Sequence, residues 1–253
     1  MSGLIQTEQR DAAVILRLNR PECLNALSPQ LLEALDGALS SCAATGARVV
    51  ILTGTGRAFS AGADIVYMHE ASRAECREYL TRAQAVLAGI ESLPLPVIAA
   101  VNGTCTGGGN ALANACDLRL AANSAQFGEP EAKLGLPGGF GNVPRLVRLV
   151  GPGRAAELLL TGRLIDAEHA CRIGLVSEVV ADDALTARAC EIATEIAALG
   201  PAALAQMKGL LHNNAKPEDE TSAFLACLDS GQGVEGLQAF VDKRPPDWGQ
   251  SSV

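Results

Sequence analysis

Aromatic side chains are scarce: one Trp, two Tyr and five Phe in 253 residues. Stacking platforms for bases are built from such rings, and a net charge of −8 opposes a phosphate backbone. Nucleic acid is therefore not an expected partner. Long apolar runs are missing too. Val49–Leu52 and Pro96–Val101 fall far short of the roughly 20 residues that cross a bilayer, so no membrane association is expected. The amino terminus has no basic region followed by an apolar core, so no secretory signal is expected and the chain is assigned to the cytoplasm. In that setting its cysteines (Cys23, Cys42, Cys76, Cys105, Cys116, Cys171, Cys190 and Cys227) are reduced thiols, most of them small core hydrophobes. None makes a Cys-x-x-Cys pair, which removes zinc-ribbon and thioredoxin readings. The three histidines, His69, His169 and His212, share no ligand spacing, so no metal is expected. Each reads as a surface or capping residue.

What is present suffices for a large core: 48% hydrophobic and 19% charged residues exclude intrinsic disorder. A β-branched run at Ala13–Leu18 ends at Asn19-Arg20-Pro21, as a strand entering a turn. Ser28-Pro29 then caps a helix whose apolar positions recur at Leu31, Leu32, Leu35 and Leu39. Further strands are expected at Arg48–Thr53, Pro96–Val101 and Leu118–Ala122. Helices are expected at Arg73–Glu91 and Asn110–Cys116. This alternation has the lengths of parallel β-α crossovers, so the class is α/β. From about Asp182 onward consecutive helices are expected, at 184–198, 201–213, 218–229 and 234–242. A boundary near residue 200 divides a βα core, 1–199, from a helical tail, 200–253.

Three constellations bear on chemistry. Ala58-Phe59-Ser60-Ala61-Gly62-Ala63-Asp64 follows one strand, and the triplet Gly107-Gly108-Gly109 follows another and opens a helix. Both leave backbone N–H groups free at a strand end, and two such sites face to face would hold a carbonyl oxygen that gains negative charge. The plainer reading of the triplet is a tight turn or a helix-packing site. It is neither a dinucleotide fingerprint nor a P-loop, since Leu112 and Gly109 stand where glycine and lysine would be needed. The third constellation, Phe127-Gly128-Glu129-Pro130-Glu131, sets two carboxylates around a proline at a helix start. Read alone, it is more simply a solvated first turn than an acid/base pair. Ser60 is one residue short of a nucleophile elbow and has no late histidine to serve it.

In this order and spacing the three pieces resemble the enoyl-CoA hydratase/isomerase (crotonase) superfamily. The resemblance starts at Asn19-Arg20-Pro21 and Leu24-Asn25-Ala26-Leu27 and includes Pro96–Gly103, Cys116-Asp117-Leu118 and Gly174-Leu175-Val176. It reaches Phe240-x-x-Lys243-Arg244. It implies a spiral of β-β-α units with a C-terminal helical region that builds a homotrimer or a hexamer. It also implies an acyl-CoA thioester as substrate, with no separate cofactor because coenzyme A is part of that substrate. By the same match, backbone amides of Ala63 and Gly108 form the oxyanion hole and Glu131 is the catalytic carboxylate. Cys23, Leu24, Ala61, Asp64, Ile65, Gly107, Gly139 and Lys243 are implied to contact the substrate, with Arg20 and Arg244 as further basic candidates for the CoA phosphates.

The chain departs from the family pattern at telling positions. The second family carboxylate falls on Ala111, which cannot ionise, and Phe140 with the shifted Pro137 unsettles the site of a hydrating water. Moving a double bond needs one base, whereas hydration is naturally shared by two. The sequence thus favours an isomerase-type proton shuttle on Glu131, with 2-enoyl-CoA hydration as alternative and a non-catalytic CoA-thioester-binding protein beyond that. Glu129 and Asn110 are the candidates to replace the missing carboxylate, Asn110 poorly placed because it lies about 100° around the helix from Ala111. Tyr67, His69 and Glu70 are candidates for the acyl pocket. The basic side chain many members carry two residues after Asp64 is Val66 here.

Overall fold

The computed structural model describes residues 3–213 and 215–249. Its larger sheet contains β1 (Ile5–Arg10), β2 (Ala13–Leu18), β3 (Val49–Gly54), β5 (Val97–Val101), β7 (Leu118–Ala122) and β10 (Glu178–Val180), side by side in that order. Only the β1–β2 pair is antiparallel. β3 and β5 are buried at every position, as strands covered on both faces must be. The side chains of β2, β3 and β5 alternate between two cores. Val14, Leu16, Val50, Leu52, Val97 and Ala99 face one side, with α1 (Pro29–Cys42) and α3 (Arg73–Ser92). Ala13, Ile15, Val49, Ile51 and Ile98 face the other, against Leu185, Ala189 and Ala193.

A second, smaller sheet was not anticipated from the sequence. β4 (Ala58–Ser60), β6 (Thr104–Thr106), β8 (Gln126–Gly128) and β9 (Leu164–Asp166) lie in that order, and only β9 is antiparallel. Three residues carry too little periodicity to be read as strands. Their pairing repeats a unit: β3, β5 and β7 are each followed by β4, β6 and β8 and then by helical structure, giving the expected β-β-α spiral. α2 (Ile65–Glu70) and α3 follow β4, and α4 (Gly108–Ala115) follows β6. A 3₁₀ turn at Pro130–Leu134 follows β8 in place of the helix start expected there.

α5 (Asn142–Thr161) is also a finding of the structure, its pattern interrupted by Gly151 at φ +75° and by Pro152. α6 (Ala167–Arg172) leads to β10, and α7 (Leu185–Ala197) supplies the second core. α8 (Pro201–His212), α9 (Pro217–Asp229) and α10 (Gln232–Asp242) complete the helical tail close to the expected limits. Of the cysteines, Cys42, Cys105 and Cys116 are buried and Cys23 is exposed. No helix among the described residues is long and apolar enough to cross a membrane.

Candidate active site

β4, β6 and β8 are parallel neighbours, so their carboxyl ends lie at one edge of the small sheet, about 4.8 Å apart from strand to strand. The segments that leave those ends are Ala61-Gly62-Ala63, Gly107-Gly108 and Glu129-Pro130-Glu131. Residues distant in sequence therefore meet at one place. A cavity of about 480 Å³ opens there, lined by Ala63, Gly107, Gly108, Ala111, Glu129 and Glu131 among others.

Ala63 and Gly108 approach closely. A Cβ placed on Gly108 would lie 3.1 Å from the Ala63 nitrogen and 2.9 Å from the Phe140 ring, so only glycine fits. Among the described residues, neither amide donates to a protein acceptor. Two unpaired N–H groups on one cavity wall can hold a developing oxyanion. Their geometry is braced from behind. The Tyr79 hydroxyl accepts from Asp64 N at 3.1 Å and donates to Leu27 O at 2.5 Å, clamping the backbone beside Ala63. Asn25, fully buried at φ +55°, donates to Thr55 O and Ala58 O, and its carbonyl accepts from Ser60 Oγ. The Ser60 hydroxyl also accepts from Gly62 N at 3.2 Å. Ser60 is thus committed to holding the loop.

Glu131 reaches the glycine turn: a Cβ on Gly107 would stand 2.9 Å from its Oε1. Burial raises its pKa, with its own backbone amide opposing. Glu129 is 2% exposed rather than solvated, which overturns the simpler reading of this turn. Burial, then the charge of Glu131, pushes its pKa up to about 8 against the hydrogen bonds of Asn110 and Asn142. Asn110 does not replace a carboxylate: its Nδ2 donates to Glu129 Oε1 at 2.6 Å. Asn142, which the sequence had not singled out, donates to the same oxygen at 2.7 Å.

Ile65, Gly107 and Gly139 line the cavity, as does Phe140. Cys23, Leu24, Ala61, Asp64 and Lys243 do not. Cys23 and Leu24 belong to or adjoin the 3₁₀ turn at Pro21–Cys23, where Leu24 O accepts from Ala61 N. Asp64 caps α2 through Tyr67 N and pairs with Arg20 at 2.5 Å, so that arginine is engaged within the fold. Lys243 ends α10 in the left-handed region, and Arg244 pairs with Glu235 at 2.7 Å. Of the α2 side chains, Ile65 and Met68 line the cavity, whereas Tyr67, His69 and Glu70 do not. Among the described residues no group of three or more His, Cys, Asp or Glu could hold a metal.

His212 departs from its expected surface role. It lies between Asp117 at 2.9 Å and Glu91 at 3.5 Å, which raise its pKa and tie α8 to the core. Lys208, 4% exposed, reinforces this tie through Asp117 and Leu95 O, both at 2.8 Å.

Residues 8–251 match the family model described as "Enoyl-CoA hydratase/isomerase". The chain is 40% identical over 245 residues to a crotonyl-CoA hydratase of Syntrophomonas wolfei, with 94% of each chain covered. It is 38% identical to a short-chain-enoyl-CoA hydratase of Clostridium acetobutylicum, again with 94% of each covered. A crystal structure of enoyl-CoA hydratase from Bacillus anthracis superposes with a TM-score of 0.92 at 38% identity, covering 98% of this chain and 100% of that one.

Proposed function

Because this chain belongs to the enoyl-CoA hydratase/isomerase family, we propose that it adds water to the double bond of a 2-enoyl-CoA thioester. One observation carries the reading: the free amides of Ala63 and Gly108 share a cavity with the carboxyl of Glu131. The thioester oxygen accepts both amides, and the enolate formed when C3 is attacked is held there, each donor contributing about 2.7–4 kcal/mol to lowering the barrier. Glu131 is the acid/base group beside the reacting carbons. Hydration is preferred to isomerisation on two grounds. The relatives just described are named as hydratases, and a second carboxyl, Glu129, lines the same cavity. Ala111 favours the second reading, double-bond migration by one base, since it offers only a methyl where the family resemblance places a carboxylate.

Purified protein given 2-enoyl-CoA and 3-enoyl-CoA separately tests this. Formation of 3-hydroxyacyl-CoA from the 2-enoyl substrate is the expected result. Double-bond migration without hydration would overturn it, and so would inertness toward both substrates.

The proposal extends to assembly. Phe224, Leu225, Val234, Leu237, Phe240 and Val241 on α9 and α10 are 52–83% exposed, an apolar surface that a single chain leaves in water. This supports residues 200–253 as an oligomerisation region of a homotrimer or hexamer, with 1–199 carrying acyl-CoA binding. Light scattering on the purified protein gives the mass, and a monomer refutes this part.

A further inference from the structure

The contacts of Glu129 are one-sided. Its Oε1 accepts Nδ2 of Asn110 at 2.6 Å and Nδ2 of Asn142 at 2.7 Å. The orientation of Asn142 is set by a further bond, since its Oδ1 accepts Asn114 Nδ2 at 2.9 Å and so leaves its nitrogen for Glu129. Oε2 has no hydrogen bond to any described residue, and it is not an enclosed atom in a residue that lines the cavity. A neutral carboxylic acid fits this arrangement. The carbonyl oxygen is Oε1, filled by two N–H donors, and the proton sits on Oε2, where it can be given to a molecule in the cavity.

The surroundings agree with this protonation state. Facing Glu129 are Glu131 on its own turn, the Cys105 thiol of β6, Asn110 of α4 and Asn142 of α5. No lysine or arginine pairs with it among the described residues. Burial and the neighbouring carboxylate hold it protonated to about pH 8, while Glu131 is raised without a like-charged contribution. Two carboxyls whose environments drive their pKa values apart make an acid and a base.

We infer that Glu129 is the proton donor of the hydration, the second carboxyl that the sequence lacks at Ala111, so this inference rests on the hydratase reading. Water bonds to C3 and gives one proton to ionised Glu131. The π pair moves onto the thioester as an enolate held by Ala63 and Gly108. C2 then takes the proton from Oε2 of Glu129. Glu131 ends protonated and Glu129 ionised, and transfer of that one proton from Glu131 to Glu129 through the cavity restores the starting state.

The test follows kcat and kcat/KM for hydration of a 2-enoyl-CoA against pH. The wild type is expected to lose kcat/KM on the alkaline side around pH 8. Glu129→Gln keeps the carbonyl oxygen for both asparagines but puts NH₂ where the acidic O–H stood. It is expected to lower kcat by about 10²–10⁴-fold, to change KM little, and to abolish the alkaline limb. Asn142→Ala removes a bond that favours ionised Glu129, so the limb should move to higher pH. A wild type that hydrates with no alkaline limb, or a folded Glu129→Gln variant within about threefold of wild type, overturns the assignment of Glu129 alone. A wild type inactive toward 2-enoyl-CoA overturns the hydration reading together with it. If Glu129→Gln does not fold, the wild-type limb and its displacement in Asn142→Ala decide the matter.

Discussion

Gly108→Ala is the smallest change that should separate the two amides. The added methyl carbon would meet the Phe140 ring at 2.9 Å and the Ala63 nitrogen at 3.1 Å. Ordinary contacts begin near 3.5 Å, so one of the neighbours must give by about half an ångström. Phe140 is 3% exposed and packs edge-on against Tyr79 at 5.6 Å, and Tyr79 is pinned through its hydroxyl to both Leu27 and Asp64. The ring is thus poorly able to swing away, and the two backbone segments part instead. Losing one oxyanion donor costs about 10²–10³ in kcat, which corresponds to about 2.7–4 kcal/mol. Overpacking adds about 1–3 kcal/mol of destabilisation, a fall in Tm of several degrees for a chain of this size. Hydration kinetics, followed by loss of the conjugated thioester absorbance, and thermal melting read the two effects separately. Phe140→Ala in the same background relieves only the ring contact, so activity should stay low. A Gly108→Ala enzyme within about threefold of wild type in kcat would refute the claim that these amides hold the oxyanion.

Glu131→Gln should bring turnover close to background while CoA-thioester binding, measured by calorimetry, persists; retained turnover removes Glu131 from the mechanism. Asp64→Ala deletes the cap on α2 and the partner of Arg20, and should cost about 1–2 kcal/mol in denaturant unfolding. KM should rise as well, because α2 carries Ile65 and Met68 into the cavity wall. His212 has a folded pKa raised above 6.5 by Asp117 and Glu91, so its stabilisation is complete below that value and is lost as pH rises through the raised one. The Tm advantage of wild type over His212→Gln should accordingly shrink as pH rises above 6.5. Glu129 has its pKa raised from 4.5 to about 8, so its contribution also declines as pH rises through that window. Glu129→Gln should therefore melt higher than wild type above pH 8, and an equal or lower Tm there contradicts a buried, ionising Glu129.

Much of the architecture was legible from residue patterns because it depends on local periodicity. The β-branched runs at Ala13–Leu18, Val49–Leu52 and Val97–Val101 read as strands, and Ser28-Pro29 could start a helix without any tertiary help. The order of Ala61–Asp64, Gly107–Gly109 and Glu131 was enough to suggest the family and the chemistry of a thioester enolate. The short strands β4, β6 and β8 were not legible, since three residues reveal no period and are strands only through their pairing with one another.

Glu129 shows where the sequence stops being informative. Beside Glu131 and a proline it has the pattern of a solvated turn, and a carboxylate is charged or neutral only according to what surrounds it. Asn110 from one helix and Asn142 from the start of another converge on a single oxygen, and protein encloses the side chain on every side but the cavity. None of these groups is close enough in the chain to be paired by spacing. Residue types and their order thus determined the fold class and picked out one candidate acid/base carboxyl, Glu131. The protonation of the second depends on desolvation and on contacts across 19 and 13 residues of sequence separation, which exist only after the spiral has closed.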